Sequence, residues 1–310
     1  MLIYAKKAGK TKNRDSFKRI AVFLALIKCA VMMLSGCLAA ETPALPVVSD
    51  FMPDPVVEIT TLRVGVVSGP YQEMFEEAVR PSLEKMGYTI IYELYQDYES
   101  PNFALVRNEI DLNVFQHYAY LNTFKFENDL ALSAVIEIPT VSMSIFSGQF
   151  NSVNEIMTGF SISIPDDASN LARALRVLEA TNIISLDSSI DKSKATFSDI
   201  VSNPQDIRLV SIPAHELVDS LSIYDASVIP GNFAFSSGLD FSKALYRETL
   251  TENYQIVITV RTEDLNKQFV RDIIEVMHSD SFRDSITAPS GNYMSFQWPR
   301  WLHDIVDSMR

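Results

Sequence analysis

The chain has 310 residues, of which 26 are basic and 39 are acidic, so its formal net charge at pH 7 is −13. An acidic surface disfavours nucleic acid and anionic lipid as partners, and its simplest role is to keep the protein soluble. The sequence has no glycine-rich phosphate loop and no zinc-protease, Cys-x-x-Cys or G-x-S-x-G motif, and its four histidines are widely separated. We therefore predict no enzyme activity, no metal and no cofactor.

The first 36 residues have the pattern of a bacterial lipoprotein signal peptide. They hold eight basic residues and one acidic residue, and residues 20–34 form a mostly apolar run that is short for a membrane span. The run ends in Leu34-Ser35-Gly36-Cys37, a small-residue step typical of lipoprotein cleavage and acylation. We predict a lipid anchor on Cys37, attached to a cell membrane or outer membrane and facing the periplasm or exterior. The alternative is an uncleaved amphipathic anchor.

Removal of this leader changes the character of the chain. The remainder has 18 basic and 38 acidic residues, a net charge near −20, and Cys37 is its only cysteine. Since no intramolecular disulfide can form, the apolar core alone must stabilise the fold. Residues 37–60 contain four prolines and show no clear periodicity, which predicts a flexible tether between the lipid and the folded domain.

From residue 62 onward, short apolar strands alternate with segments of helical spacing. The predicted strands lie at 62–67, 88–94, 111–115, 131–136, 141–146, 161–164, 208–212, 226–229 and 254–260. The predicted helices lie at 71–86, 101–107, 118–127, 169–180 and 214–221, and a late helix carries an apolar stripe from Phe269 to Met277. This alternation predicts an α/β fold with mainly parallel sheets flanked by helices.

The alternation occurs in two blocks, with too many elements for one small sheet, and so predicts two lobes. We assign residues 61–142 and 256–310 to lobe 1 and residues 143–255 to lobe 2. The strands near 140–146 and 254–260 are the candidate crossovers between the lobes. Ligands of such folds bind at the carboxyl ends of strands and between domains.

The first candidate for recognition is an aromatic cluster at the end of the strand predicted at 111–115. Phe115, His117 and Tyr120 place two rings and an imidazole where this strand enters a helix. Aromatic walls suit an apolar or thioether side chain, because sulfur–ring contacts contribute about 0.3–1.5 kcal/mol. On spacing alone, the alternative is that Phe115 and Tyr120 belong to the core and that His117 is a cap.

The second candidate is a helix start near Ser169, directly after a predicted strand. Free backbone N–H groups and a cation one turn into the helix form an anion site. Asn170 and Arg173 are three residues apart and share a face, and arginine can bind a carboxylate through two parallel hydrogen bonds. The alternative is a solvated helix face with an ordinary N-cap.

Four runs of the sequence resemble the methionine-binding lipoproteins, the NlpA-type substrate-binding components of ABC importers. The runs are VGVVSGP at 64–70, DYESPNFAL at 97–105, DLNVFQHYAYL at 111–121 and IPDDASNLAR at 164–173. They occur in the order and spacing of the family, and the resemblance extends from residue 62 to about residue 282.

This resemblance implies a two-lobed periplasmic-binding-protein fold, type II-like, that closes on a small amino acid and delivers it to an ABC permease. It implies that Tyr98, Phe115, His117 and Tyr120 line a side-chain pocket. It further implies that Asn170 and Arg173 hold the backbone groups of the amino acid, with Arg173 on the carboxylate. Both clusters found from spacing therefore fall on expected binding residues, one from each lobe.

The chain also departs from the family pattern. Where the family usually reads Val-Ile-Asn-x-x-Tyr-Ala, this chain reads VIPGNFA at 228–234, so the expected ligand-contacting Asn is replaced by Pro230. Proline has no side-chain donor and no N–H. Asn232, two residues later, is the candidate to replace it. The alternative function is a surface lipoprotein of the same fold with a changed ligand or a non-transport interaction role.

Overall fold

The computed structural model describes residues 60–251, 253–288 and 292–308. The predicted signal peptide at 1–36, the predicted lipidation site Cys37 and nearly all of the predicted tether at 37–60 lie outside these residues. Within the described ranges, no helix combines the length and the apolar character that crossing a membrane requires.

The strands and α-helices follow the predicted alternation closely. The strands are β1 (Thr61–Val67), β2 (Thr89–Tyr95), β3 (Leu112–His117), β4 (Leu132–Ile138), β5 (Ser144–Phe146), β6 (Ser161–Pro165), β7 (Ser185–Leu186), β8 (Ile200–Ser202), β9 (Arg208–Ile212), β10 (Ala226–Ile229), β11 (Tyr246–Arg247) and β12 (Ile256–Arg261). The α-helices are α1 (Pro70–Met74), α2 (Arg80–Lys85), α3 (Ser100–Val106), α4 (Tyr118–Glu127), α5 (Ala168–Ala180), α6 (Gly231–Ser236), α7 (Gln268–Met277), α8 (Asp280–Thr287) and α9 (Arg300–Ser308).

These strands form two five-stranded sheets and a small β7–β8 hairpin. The first sheet has the order β2-β1-β3-β12-β4, and the second has the order β11-β5-β10-β6-β9. In the first sheet β12 is antiparallel to both of its neighbours, and in the second sheet β5 is antiparallel to both of its neighbours. Four strands of each sheet therefore point the same way, which confirms the predicted α/β fold with two mainly parallel sheets.

Each sheet buries its own apolar core. The first sheet packs with the helices around it through residues such as Leu62, Val114 and Phe269, and the second packs through residues such as Ile162, Leu175 and Val228. A third cluster, which includes Phe115, Phe146 and Ile229, joins residues from both sheets. The two halves of the molecule thus meet across a buried apolar surface.

The helix predicted at 71–86 contains an irregular turn. Its middle, Phe75–Val79, is a π-helix between α1 and α2. Pro81 lies in the next turn, where it has no N–H for the carbonyl of residue 77 and its ring would crowd that carbonyl. The wider turn relieves this conflict. Gly87 follows at φ 98°, a left-handed conformation that glycine adopts without strain and that ends the helix.

The prediction of a helix at 214–221 is wrong. The structure has two 3₁₀ turns there, Ala214–Glu216 and Asp219–Ser222. The buried hydroxyl of Ser220 donates to the carbonyl of Leu217 at 2.7 Å and lies 2.7 Å from the hydroxyl of Ser163 on β6. A serine that bonds to nearby backbone and to the sheet competes with the regular helical pattern.

The chain passes between the two sheets twice, at residues 139–143 and at residues 248–255. The C-terminal segment binds both passages through Gln297. Its backbone exchanges two hydrogen bonds with Thr140, and its side-chain amide donates to the Ser142 hydroxyl and to the Glu248 carbonyl, at 2.6 and 2.8 Å. The predicted lobe boundaries, after residues 142 and 255, fall at these two passages and remain predictions.

Candidate ligand-binding site

A small cavity lies at the carboxyl ends of β3, β6 and β10, where the three strands lead into α4, α5 and α6. The empty space among its lining atoms, counted together with the part open to solvent, is about 340 Å³. Residues from both sheets line it, which is the position at which α/β folds of this kind bind ligands. The lining residues are Tyr71, Tyr98, Phe115, Gln116, His117, Tyr120, Thr140, Val141, Asn170, Arg173, Pro230, Gly231, Asn232 and Ile256.

The side of the cavity formed by the first sheet is an aromatic wall of Tyr98, Phe115 and Tyr120. The rings of Tyr98 and Phe115 stack at a centroid distance of 5.8 Å, and Tyr120 meets Tyr98 edge-on at 5.6 Å. Phe115 and Tyr120 are buried. Such aromatic pairs hold each other in fixed geometry, so the wall presents a rigid apolar surface.

Buried amides support this wall from behind. The side chain of Gln116 exchanges two hydrogen bonds with Asn102 on α3, at 2.8 and 2.6 Å, and donates a third to Asn113 at 3.0 Å. Because buried polar groups are costly unless they are paired, this network fixes the position of β3 relative to α3. The two amides of the NVFQH run, Asn113 and Gln116, are therefore mainly structural, and Phe115 between them belongs to the wall.

His117 joins the aromatic wall to the opposite side of the cavity. As the N-cap of α4, its Nδ1 accepts a hydrogen bond from the Tyr120 N–H at 3.0 Å. Its Nε2 lies 3.0 Å from the side-chain oxygen of Asn170, so a proton on Nε2 satisfies both contacts. Burial, together with the nearby Arg173, lowers the pKa of His117 to about 3, and the imidazole is neutral at physiological pH.

The other side of the cavity is a polar wall that begins at the start of α5. Asp167 is the N-cap and accepts from the Asn170 N–H at 2.9 Å, and the Asn170 amide also donates to both Asp167 oxygens. The helix start is thus already capped by a carboxylate. Its contribution to the cavity is the fixed Asn170 side chain, whose oxygen faces His117.

Arg173, one turn further along α5, is 4% exposed, so the alternative of a solvated helix face is wrong. Its guanidinium forms an ion pair with Glu248, in which Nε and Nη2 both donate to the carboxylate. The ring of Tyr254 lies 5.1 Å from its central carbon. Burial acts to lower the pKa of Arg173, but Glu248 more than offsets this, and the pKa is raised.

Asn232 completes the polar wall from α6. Its side-chain oxygen accepts from the Tyr98 hydroxyl at 2.8 Å, and its amide donates to the Ser68 carbonyl at 3.2 Å. The first contact joins the two walls. A side chain on Gly69 would place its Cβ 2.7 Å from the Cβ of Asn232, so glycine is needed for this close approach. Pro230 lies at the N-cap of α6 and also lines the cavity.

The structure brings together every ligand-binding residue predicted from the sequence. All seven line one cavity: Tyr98, Phe115, His117, Tyr120, Asn170, Arg173 and Asn232. Sequence reasoning missed Glu248, which is 75 residues from its partner Arg173 and belongs to no motif. It also missed Tyr71 and Ile256, whose apolar or aromatic character in the sequence is that of ordinary core residues.

The family model for NlpA lipoproteins matches residues 62–298. The chain belongs to the NlpA lipoprotein family. This confirms the resemblance drawn from the four sequence runs. The match covers nearly all of the described residues and includes every residue that lines the cavity.

Other members of the family are similar over most of their length. Outer membrane lipoprotein 3 of Mannheimia haemolytica is 30% identical over 81% of this chain and 92% of its own. The D-methionine-binding lipoprotein MetQ of Yersinia pestis is 28% identical over 87% of this chain and 94% of its own.

Solved structures of related proteins have the same fold. A nutrient-binding protein from Burkholderia cenocepacia, bound to methionine, superposes with a TM-score of 0.69 at 29% identity, covering 73% of this chain and 95% of its own. The substrate-binding protein of a methionine transporter from Streptococcus pneumoniae gives a TM-score of 0.67 at 28% identity, covering 73% and 91%. The fold of this chain is that of periplasmic substrate-binding proteins.

Proposed function

We propose that this protein is a lipid-anchored extracytoplasmic solute-binding protein that captures methionine or a closely related small amino acid for an ABC importer. The observation that carries the proposal is the convergence of Arg173 and the aromatic wall on one small cavity. Relatives named or solved as methionine-binding proteins support the choice of ligand.

In the proposed complex, each wall binds one end of the ligand. Arg173 binds the carboxylate through its remaining nitrogen, Nη1, since Nε and Nη2 already donate to Glu248. The aromatic wall contacts the apolar side chain, and a thioether sulfur near the rings adds about 0.3–1.5 kcal/mol. Asn170 and Asn232 supply polar groups for the remainder of the ligand.

Binding of this kind works by closing the two lobes on the ligand, without bond chemistry. The contacts His117–Asn170 and Tyr98–Asn232 cross between the lobes in the closed arrangement. A ligand that touches both walls binds the closed state better than an open one, and this difference in affinity drives closure. The closed form is then the state that we propose a permease recognises.

Titration calorimetry with the purified protein tests the proposed ligand. We expect saturable binding of L- or D-methionine and a rise in melting temperature, because a ligand at a hundred times its dissociation constant adds about 2.7 kcal/mol of stability. Alanine and glutamate are the controls for side-chain length and charge. If neither enantiomer of methionine produces heat or a thermal shift at millimolar concentration, methionine is not the ligand.

The proposed anchor has a separate test. Mass spectrometry of the protein extracted from its native membrane should show acyl chains on a mature chain that begins at Cys37. The Cys37→Ala variant should lack the acyl mass, because it has no thiol at this position to accept an acyl chain. An unmodified, uncleaved N-terminus in the membrane fraction would favour the amphipathic anchor instead. Separating inner from outer membranes in the same experiment assigns the location.

A further inference from the structure

The charge balance of the cavity carries a further inference about the kind of ligand that it accepts. Arg173 is the lining residue with a positive charge, and His117 is neutral because burial lowers its pKa. Burial also raises the pKa of Tyr71, Tyr98 and Tyr120, so their hydroxyl groups add no charge. The effective charge presented to a ligand therefore depends on what neutralises Arg173.

Glu248 neutralises it, and the surrounding backbone holds Glu248 in place. Its carboxylate accepts from the Met143 N–H at 3.2 Å as well as from Arg173, and its own N–H donates to the Met143 carbonyl at 3.1 Å. Its carbonyl accepts from Gln297 at 2.8 Å. These contacts involve both passages between the sheets and the C-terminal segment. Because the Met143 N–H binds its carboxylate and two backbone contacts hold its main chain, Glu248 stays beside Arg173 in the proposed complex.

Other carboxylates lie near the cavity. They line a wider, solvent-open cavity that shares Tyr98 and Tyr120 with it and that spans about 840 Å³ when its open part is included. Its acidic lining residues are Asp97, Glu99, Asp166 and Asp167. Asp167 also lies directly behind Asn170 in the polar wall. A purely anionic ligand at Arg173 would thus lie near several carboxylates and beside a guanidinium whose charge Glu248 already balances.

A ligand that carries its own positive charge next to its carboxylate does not meet this penalty. In a zwitterionic amino acid the ammonium group is two bonds from the carboxylate carbon, so a ligand held at Arg173 also brings a positive charge into a site where Arg173 and Glu248 already balance. The carboxylate of Glu248 attracts this ammonium and repels the ligand carboxylate. An analogue in which a neutral group replaces the ammonium keeps this repulsion and loses the attraction, so it should bind more weakly.

We propose that Glu248 is a specificity-determining residue, which makes the site select zwitterionic amino acids over the corresponding anionic acids. This inference rests on the proposed function, because it assumes that the ligand carboxylate binds Arg173. Glu248 does not line the cavity. It would act on the ligand through its negative charge, which lies on the far side of Arg173.

The test compares two ligands with the same side chain and carboxylate: methionine and 2-hydroxy-4-(methylthio)butanoate, in which a hydroxyl replaces the ammonium. Calorimetry gives the ratio of their dissociation constants. We expect the wild-type protein to prefer methionine by about tenfold or more, and the preference to fall by about tenfold in Glu248→Gln. Differences in hydrogen bonding between the two ligands cancel when this ratio is compared between proteins.

Two further variants distinguish charge from structure. Glu248→Asp keeps the charge and should keep most of the preference, even if both affinities drop. Glu179→Gln removes another ion-paired carboxylate, the partner of Lys192, outside the cavity, and should leave the ratio unchanged. If Glu248→Gln weakens both ligands equally, Glu248 is only structural and the inference is wrong.

The wild-type protein alone also tests the inference, in case Glu248→Gln does not fold. Equal affinity of the wild-type protein for the two ligands would overturn it while leaving the proposed function intact. Binding of the hydroxy acid with no binding of methionine would overturn both the inference and the choice of ligand. If the wild-type protein binds neither compound, the proposed function itself is wrong.

Discussion

The two walls of the cavity are built in different ways. The aromatic wall comes from one short stretch of chain, residues 98–120, and is supported by amides from that stretch. The polar wall is assembled from α5, the start of α6 and the passage that carries Glu248, which are far apart in sequence. A locally built wall withstands changes elsewhere in the chain, whereas an assembled wall depends on how distant segments of the chain pack together.

Breaking the polar wall at Arg173 should have the largest effect. Arg173→Ala removes the proposed carboxylate contact, and we expect methionine affinity to fall at least about a hundredfold. It also leaves Glu248 buried without its partner, which should cost about 3–5 kcal/mol of stability. Calorimetry and urea unfolding measure the two effects.

A double variant separates these two consequences of losing Arg173. Arg173→Met combined with Glu248→Met replaces the ion pair with apolar groups of similar size, and it should recover most of the lost stability. It should not recover binding. Recovery of methionine affinity in the double variant would show that the guanidinium does not contact the ligand.

The aromatic wall is tested by Phe115→Ala. Phe115 is buried and stacks on Tyr98, so its removal should destabilise the protein by about 3 kcal/mol and weaken methionine about tenfold. The matched control is Phe126→Ala. Phe126 is 87% exposed on the neighbouring helix, and its loss should change stability by less than about 0.5 kcal/mol. Equal effects of the two substitutions would argue against a packed wall.

The link between the walls at His117 predicts a dependence of stability on pH. In the folded protein burial lowers the pKa of His117 to about 3, whereas an unfolded histidine titrates near 6.5. As pH falls below about 6.5 the unfolded chain gains a proton that the folded chain does not, so stability is lost on acidification. Between pH 8 and pH 5 this residue should contribute a loss of about 2 kcal/mol.

The comparison that isolates this contribution is His117→Asn, which keeps a side-chain acceptor at the N-cap of α4. The variant should lose about 2 kcal/mol less stability between pH 8 and pH 5 than the wild-type protein. Urea unfolding at both values provides the measurement. The other histidines are present in both proteins and cancel, so parallel curves would show that His117 is not held neutral in the folded state.

The difference between the walls also explains what the sequence could predict. Phe115, His117 and Tyr120 follow one strand, and their spacing alone places them together at its end. The alternative that His117 is a cap is also correct, because one ring nitrogen caps α4 while the other faces Asn170. A cap and a cavity lining are therefore compatible roles for one imidazole.

The polar wall was only partly predictable. Asn170 and Arg173 follow from helical spacing, but the partner of Arg173 depends on which passage between the sheets lies beside α5. That contact arises from tertiary packing, and one carboxylate among 39 acidic residues carries no local signal. The prediction of a helix at 214–221 failed for a related reason, since the hydroxyl of Ser220 is hydrogen-bonded to Ser163 on β6, a distant segment of the chain.

At Pro230 the polar wall lacks the side-chain amide that the family pattern has. Replacing this residue should have the smallest effect on stability and affinity. Pro230→Asn introduces an amide at the N-cap of α6, a position that favours Asn and where the present residue forms no side-chain cap. The gain from the cap, about 1 kcal/mol, is offset by the greater freedom of the unfolded chain, so stability should change little.

The same substitution adds hydrogen-bonding capacity to the cavity, where proline offers none. One net hydrogen bond of about 1 kcal/mol would tighten methionine binding about fivefold. Calorimetry on the wild-type protein and on Pro230→Asn measures the change, with Pro213→Asn as the control for a proline outside this cavity. If affinity for methionine is unchanged, Asn232 already satisfies the polar end of the ligand, and the departure at Pro230 has no functional consequence for methionine.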